Sequence, residues 1–522
     1  MDARNKLKLA VGVGEFLRDR VSVESAREAV RQALGTRAER FLVLAQAQIY
    51  DQPHSPYLKL LKSAGCDYSD LEALVHRDGL EAALERLAAA GVYLSSDEFK
   101  GKKEVVRGRL SFHVDPAVFE RRGSAPGFAT ESSGTRNRPQ RSMIFLDWLA
   151  LRAQVTAIFF DAHDLFSYSH AVYDSILPGS AINHLLVNAK IGKATERWFA
   201  RHVPEPTRLH AAARYLMTGF IVVAARRSFK LPLPHFVDTA DLTPIVRWIE
   251  SEKRRGKNCY VTTIASSAAR LARRACEMGV ALDGVKLNVA GEPFTEAKED
   301  AVTRSGARFT SRYSYGGNVS VGFGCATPAD RDEVHVSQNL LALIRHPTPL
   351  PGGSAPIHPL LLTTLDAEAP RFLLNVGNGD YGTLSGRNCG CALENAGLTL
   401  HVHSIRSFEK LTTEGMNYDY GDLFELLEKT IPAEFGGGPG DYQLVEEEDD
   451  NGQTRLTLVV DPRIGPLDET AVLARVAKAF ASGRWGNRFM TLLWLQAGTF
   501  RLERRVPHAS RRGKILPLHI PM

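Results

Sequence analysis

An α/β fold with a small C-terminal appendage is what this sequence predicts, and three observations carry the prediction. From about residue 105 onward, short aliphatic runs alternate with helical stretches and Gly, Ser and Pro turns, the pattern of strands joined by crossover helices. Before that point the chain is rich in Ala, Glu and Arg, with apolar residues at helical spacing. After Gly436-Gly437-Gly438 a hairpin pattern is followed by a helical one, which marks a separate unit.

The elements follow in order. Residues 1 to about 105 read as helical, with Glu24 to Leu34 and Leu71 to Ala90 the clearest stretches. Gly12-Val13-Gly14 partly mimics a dinucleotide fingerprint. It lacks the third glycine and a following βαβ unit, so it reads as a turn before a helix. Val155 to Phe160, Leu287 to Ala290, Leu360 to Leu365 and Leu398 to Val402 read as strands, and Ala265 to Gly279 as a helix. Tyr442 to Val445 and Thr454 to Val460 read as a hairpin around Asn451-Gly452, a pair suited to a type I′ turn, with the acidic run Glu446 to Asp450 at its solvated tip. Asp468 to Phe480 reads as the helix after it. The longest apolar stretch, Tyr215 to Ala225, is closed by Arg226 and Arg227. It is far short of the roughly 20 residues of a membrane helix and reads as a buried strand or core helix.

Composition excludes several classes. The chain has 522 residues with 44% hydrophobic and 24% charged, an ordinary globular balance that rules out a disordered or fibrous protein. The formal net charge of +6 is too weak a bias for a nucleic-acid surface unless it is concentrated in one patch. Six cysteines at this length do not make a secreted disulfide scaffold, and no apolar h-region follows Met1-Asp2-Ala3-Arg4, so a cytoplasmic protein without a membrane span is expected.

Five short segments carry chemistry. Thr130-Glu131-Ser132-Ser133-Gly134-Thr135-Arg136-Asn137-Arg138 gathers hydroxyls, a glycine and cations, a composition that wraps polyphosphate. Asn288 to Thr295, with Gly291-Glu292-Pro293 at its centre, is a strand running into a turn and a helix, and ligands sit outside the carboxyl ends of such strands. Tyr313-Ser314-Tyr315-Gly316-Gly317 sets aromatic rings beside glycines, which permits stacking on a base. Asn378-Gly379-Asp380-Tyr381-Gly382 puts a carboxylate in a glycine turn, able to accept two ribose hydroxyls. Arg511-Arg512-Gly513-Lys514 is a basic segment near the end. Taken singly, each is an ordinary polar turn or a solvated tail. There is no Walker-type phosphate loop, no His-Glu-x-x-His and no Gly-x-Ser-x-Gly.

Their order is more specific. Ser-Ser-Gly-Thr, Gly-Glu-Pro, Tyr-Gly, Gly-Asp, then Arg406 with Gly415-x-Asn417, then Gly-Lys, resembles the motif order of the adenylate-forming superfamily. Within it the chain is most similar to the phenylacetate–CoA ligase and LuxE-type acyl-protein synthetase branch, over about residues 100 to 515. The resemblance implies a multi-subdomain body over 1–405 and a mobile α+β lid over 406–522. It implies ATP and Mg²⁺ as co-substrates, a carboxylic acid joined to AMP with loss of pyrophosphate, and transfer of the acyl group to CoA or a carrier-protein phosphopantetheine.

By similarity, Ser132, Ser133, Gly134, Thr135 and Arg136 would hold the β- and γ-phosphates. Gly291, Glu292 and Pro293 would line the adenine pocket, with Tyr315 stacked on the ring beside Gly316. Asp380 would bind the ribose. Arg406 would act at the ribose or phosphate, and Phe408 and Glu409 stand at the hinge. Lys514 would reach the α-phosphate from the lid and leave after the first step. The chain departs from the family in having Asn318 and Val319 where Thr-Glu usually follows the Tyr-Gly pair. It also has Asn375-Val376-Gly377-Asn378 where Arg-Tyr-Arg often precedes Gly-Asp, and Phe408 at the usual acidic hinge position.

Cys325, His335, Cys389 and Cys391 would make a closed structural zinc site of three thiolates and one imidazole, similar to the cysteines and histidine often found in that branch. His401-Val402-His403 is a rival metal pair. Three other outcomes stay open: an acyl-protein synthetase, an amide-forming ligase, and a catalytically poor nucleotide-binding partner protein.

Overall fold

The computed structural model describes residues 3–121, 123, 125–131, 141–201, 208–226, 228–238, 241–315, 319–347, 358–407, 412–413, 416–417, 423–448, 454–482, 500–509 and 513–519. Its centre is a twelve-stranded sheet. The strands are β1 (Ser169–Tyr173), β2 (Arg197–Arg201), β3 (Pro234–Val237), β4 (Cys259–Ile264), β5 (Val285–Ala290), β6 (Arg308–Tyr315), β7 (Val319–Gly324), β8 (Val334–Val336), β9 (Leu341–Arg345), β10 (Pro359–Thr364), β11 (Val376–Gly386) and β12 (Leu400–Ser407). Their spatial order is β9-β10-β11-β12-β8-β7-β6-β5-β4-β1-β2-β3. From β6 to β3 all pairings are parallel. From β6 to β9 all are antiparallel. The switch at β6 follows from the connections: a crossover helix separates each pair of successive strands in the first half, whereas among the described residues the second half has no connecting helix longer than Ala392–Asn395.

The helices used below are α1 (Ala3–Arg18), α2 (Val23–Gly35), α3 (Leu146–Ala162), α4 (Ala181–Lys190), α5 (Arg208–Ala225), α6 (Thr243–Arg254), α7 (Ala265–Glu277), α8 (Glu296–Arg304) and α9 (Glu469–Ser482). The parallel half is covered on both faces, so its strands are apolar on both sides. Val172, Trp198 and Tyr260 pack beneath α3 and α4. Ala171, Phe199, Val261, Leu287 and Val289 pack against α6 and α7. The helices between residues 37 and 99 pack on the antiparallel half, where Leu84 and Leu87 share a core with Leu343 and Leu361.

Three sequence expectations change. Val155 to Phe160 lies inside α3, not in a strand. Eleven of that helix's residues are buried, spread all round it, and a helix apolar all round is a core helix whose six-residue window cannot be told from a strand. Gly12 and Gly14 lie within α1, not in a turn before it. A Cβ at Gly12 would fall 2.6 Å from Pro126 Cβ, so this glycine serves a close helix–loop approach. The predicted helix over Leu71 to Ala90 is two, Tyr68–Asp78 and Leu80–Ala89, divided at Gly79 with φ 83°. Tyr215 to Ala225 is helical, as the last part of α5.

The C-terminal stretch forms a four-stranded sheet of β13 (Tyr442–Glu448), β14 (Thr454–Val460), β15 (Phe500–Arg504) and β16 (Leu518–His519) in the order β15-β14-β13-β16. The expected hairpin is present, in register from Tyr442↔Val460 to Glu448↔Thr454. Its turn residues Asn451 and Gly452 lie outside the described residues. Leu444, Leu458 and Val460 pack with Val472 and Val476 of α9 in a core of their own. Among the described residues, no helix is long and apolar enough to cross a membrane.

Candidate active site

β5 ends at Ala290, and the chain turns at Gly291 with φ +84°. Lys514, on the segment before β16, crosses to this turn, and its Nζ donates to the Gly291 carbonyl. A Cβ at position 291 would lie 3.2 Å from Lys514 Cε, so the approach requires the glycine. Lys514 is aimed by its neighbour. Gly513 (φ +74°) lies on Arg201, with the place of a Cβ 3.1 Å from Arg201 Cδ and Nε. Arg201 is held in turn. Its side chain is fully buried, its Nη1 is 3.1 Å from Asp174 Oδ1, and its Nη2 donates to the Tyr173 carbonyl and Thr263 Oγ1. Arg201 and Asp174 escaped sequence reading because they have no motif spacing, only a shared place at the carboxyl ends of β1 and β2.

Glu292 is brought to the same turn but not toward open space. Its fully buried carboxylate accepts from Ser266 Oγ at 2.6 Å and stands 3.7 Å from Lys298 Nζ. Lys298 Nζ is 2.9 Å from Glu428 Oε1, on the segment that follows β12, and it also lies over the Phe424 ring. The three side chains are 0%, 0% and 4% exposed, so they form a dry ionic joint between the two regions of the chain. Burial, with the Glu292 charge nearby, raises the Glu428 carboxyl above the usual range despite Lys298.

A second group gathers where β6 and β11 meet the end of β12. Tyr313 Oη donates to Asp380 Oδ2 at 2.9 Å, and Asn378 Nδ2 lies 3.3 Å from the same oxygen. Burial and the Asp380 charge raise the Tyr313 phenol well above its ordinary value. Tyr315 ends β6, packed at the edge of the antiparallel core. Arg406 pairs across the ladder with Tyr381, beside Asp380. Its Nη1 donates to Asp332 Oδ2 at 3.1 Å. Asp332 also accepts from the Ser404 and Ile405 amides, so it clamps the end of β12. Ser132, Ser133, Gly134, Thr135, Arg136, Gly316, Phe408 and Glu409 lie outside the described residues.

The expected metal ligands converge. His335 Nε2 is 3.1 Å from Cys391 Sγ and 3.5 Å from Cys389 Sγ. His335 Nδ1 lies 2.6 Å from the Leu398 carbonyl, a contact that puts the proton there and leaves the Nε2 lone pair toward the thiols, as in metal-bound histidines. Donation from Cys325 and the neighbouring His335 hold the Cys391 thiol well below its usual range, while Cys325 is pushed up. The structure adds His401. β8 and β12 pair His335 with His401, and the two rings are 4.0 Å apart. His401 is fully buried, its Nδ1 is 3.1 Å from the Thr399 carbonyl, and its Nε2 has no hydrogen-bond partner among the described residues. Ligand atoms of Cys325, His335, Cys389 and His401 lie within 4.8 Å of one another, which suits a zinc ion with bonds of about 2.0–2.3 Å. His403 faces elsewhere, toward Ser404 and Asp330. The periodicity of His401-x-His403 was visible in the sequence; its strand partner was not.

Neither a protein-family model nor a curated relative matches the sequence. Solved structures do match in shape. 2-Hydroxyisobutyryl-CoA ligase in the postadenylation state with 2-HIB-AMP aligns over 97% of this chain and 91% of its own, with TM-score 0.52 and 15% identity. The same ligase with R3-HIB-AMP aligns over 93% and 89%, with TM-score 0.50 and 15% identity. The chain therefore shares the α/β fold of this ligase over nearly its whole length, with a large N-terminal body and a small C-terminal sheet.

Proposed function

We propose that the protein is an ATP-dependent carboxylic acid ligase. It forms an acyl-adenylate with release of pyrophosphate, then passes the acyl group to a thiol of CoA or of a carrier protein. The observation that carries this reading is Lys514, on the small C-terminal unit, reaching the Gly291 turn at the end of β5.

The chemical difficulty is an anionic carboxylate attacking an anionic phosphate. Lys514 supplies positive charge at the carboxyl ends of the parallel strands, where the α-phosphate would sit. Asp380, oriented by Tyr313 and Asn378, accepts from the ribose hydroxyls. Tyr315 offers the adenine a ring. Arg406 acts as a positioning residue, because it already pairs with Asp332 and fixes the strand that faces Asp380. Ser132, Ser133, Gly134, Thr135 and Arg136 would hold the outer phosphates. Val319, buried at the start of β7, offers Mg²⁺ no ligand, so the ion would be carried by ATP phosphates and water.

In this reading the lid begins at the end of β12, close to the expected boundary at residue 406, with the core around Leu444 and Val472 as its independent body. Cys325, His335 and Cys389, with Cys391 or His401 as the fourth, would hold zinc, which ties β7, β8 and the loop after β11 together and takes no part in the reaction.

ATP–pyrophosphate exchange across a panel of carboxylic acids tests the reading. Wild type exchanges with at least one acid, and Lys514→Ala falls by about 10²–10³-fold, the loss expected for one charge-stabilising donor. Transfer from a supplied acyl-adenylate to the thiol persists in the variant. ATP binding without exchange for any acid would instead favour a nucleotide-binding partner protein, the outcome to which Val319 in place of a carboxylate points.

A further inference from the structure

The face of the parallel sheet under α3 and α4 is unlike the rest of the core. Parallel strands place paired residues on one face, so the registers Tyr260↔Lys286, Thr262↔Asn288 and Ala290↔Arg312 line up a polar row. Below α3 and α4 this row encloses a small cavity lined by Arg152, His184, Tyr260, Thr262, Asn288 and Arg312, of about 20 Å³, room for one water molecule until His184 moves aside.

Two guanidinium groups meet there with no carboxylate from the described residues in the lining. Arg152, on α3, is 6% exposed, and its Nε and Nη1 have no hydrogen-bond partner among the described residues. Arg312 is half-buried, its Nε also without a partner among the described residues, and His184 likewise keeps some accessible surface. The two Nη atoms of Arg312 are 3.2 and 3.0 Å from the two ring nitrogens of His184. A neutral imidazole has one acceptor, so at most one of these contacts is a hydrogen bond. Among the described residues neither arginine has a salt-bridge partner. The acid nearest in effect, Asp174, is engaged by Arg201, Ser180 and the Ser175 amide. Burial and the Arg312 charge push Arg152 down to about 9, still charged at neutral pH. Two like charges buried together without a counterion are unfavourable, and an anion entering the cavity removes that cost.

The cavity lies close to the reaction centre proposed above. Asn288 is three residues before Gly291 on β5, roughly 10 Å at the rise of a strand, and Arg312 pairs with Ala290. We infer that Arg152 and Arg312 form the specificity site for a second anionic group on the acyl substrate. The substrate class is a dicarboxylic acid whose far carboxylate displaces His184 from the Arg312 guanidinium. This rests on the ligase reading for the reaction but not for the binding.

Exchange and thermal unfolding, run in parallel, test it. Glutarate, adipate and terephthalate are compared with their monomethyl esters in wild type, Arg152→Gln, Arg312→Gln and Arg152→Met. A diacid exceeds its monoester at least tenfold in kcat/KM, and each Gln variant raises KM for the diacid about 10–100-fold, the worth of one charge-assisted hydrogen bond, with kcat little changed. Arg152→Met keeps or raises the Tm of the free protein, because it removes an unpaired buried charge, and loses the Tm rise that the diacid produces. Preference for the monoesters, no diacid effect on either exchange or Tm, or a lower Tm for free Arg152→Met would overturn the inference. A diacid-dependent Tm rise that needs both arginines, with no exchange for any acid, would leave the anion site standing and reject the ligase.

Discussion

Removing the cation from the dry joint between the two regions is the most demanding test of this structure. Lys298→Met keeps an unbranched side chain one atom shorter and deletes one charge. Lys298 Nζ stands 2.9 Å from Glu428 and 3.7 Å from Glu292, with all three groups buried. At an effective dielectric of about 20 these distances correspond to attractions of about 6 and 4 kcal/mol, set against the desolvation of three charges. Without the lysine two carboxylates face each other, and the expected loss is about 3–5 kcal/mol at neutral pH, the cost of orphaning a buried charge.

The loss depends on pH. Glu428 already has a raised carboxyl pKa in the folded protein, from burial first, with Lys298 opposing it. A raised folded value means its contribution is fully present below the unfolded carboxylate range and is lost as pH rises through the folded value. Lys298→Met removes the opposing cation and moves the folded value further up, so the destabilisation is smallest near pH 5 and grows toward pH 8. Hydrogen exchange of residues 423–435, measured at both pH values in wild type and variant, reads the joint directly, since Glu428 and Phe424 pack on Lys298. Equal protection in the two proteins, or a loss independent of pH, would refute the argument.

Two further outcomes follow from the same geometry. Gly513→Ala puts a Cβ at φ +74° and 3.1 Å from Arg201. The strain of about 1–3 kcal/mol should lower exchange by tenfold or more while ATP binding, measured by calorimetry, is retained; unchanged exchange would show that Gly513 does not aim Lys514. Unchelated protein should carry about one zinc per chain by elemental analysis, the stoichiometry of one closed site. Cys389→Ser should lose most of it, and comparing Cys391→Ser with His401→Ala identifies the fourth ligand; zinc-free wild type would reject the site.

Much of the candidate site was legible because its residues sit in short segments whose order along the chain is informative. Gly291, Asp380 and Lys514 each lie in or beside a glycine turn, whereas Arg406 is singled out by motif order alone. What those side chains do was less legible. Glu292 reads as a pocket residue beside Gly291, but Ser266 and Lys298 hold its carboxylate in a buried joint that Lys298 shares with Glu428, 136 positions away in number. Arg406 reads as a substrate ligand, and it holds Asp332.

The sequence by itself determined the alternation of strands and helices, the hairpin with its following helix, and the set of thiols and imidazole near residues 325–391. These rest on local properties: side-chain periodicity, turn chemistry and residue type. Tertiary structure alone decided that Val155 to Phe160 is helical, since an apolar run of six fits either state until its neighbours are known. It decided that His401 joins His335, because a strand's partner is set by sheet register. It also decided that Arg152 and Arg312 share a cavity, because α3 and β6 approach only when the sheet is built, and two arginines 160 positions apart in number carry no signal of meeting until then.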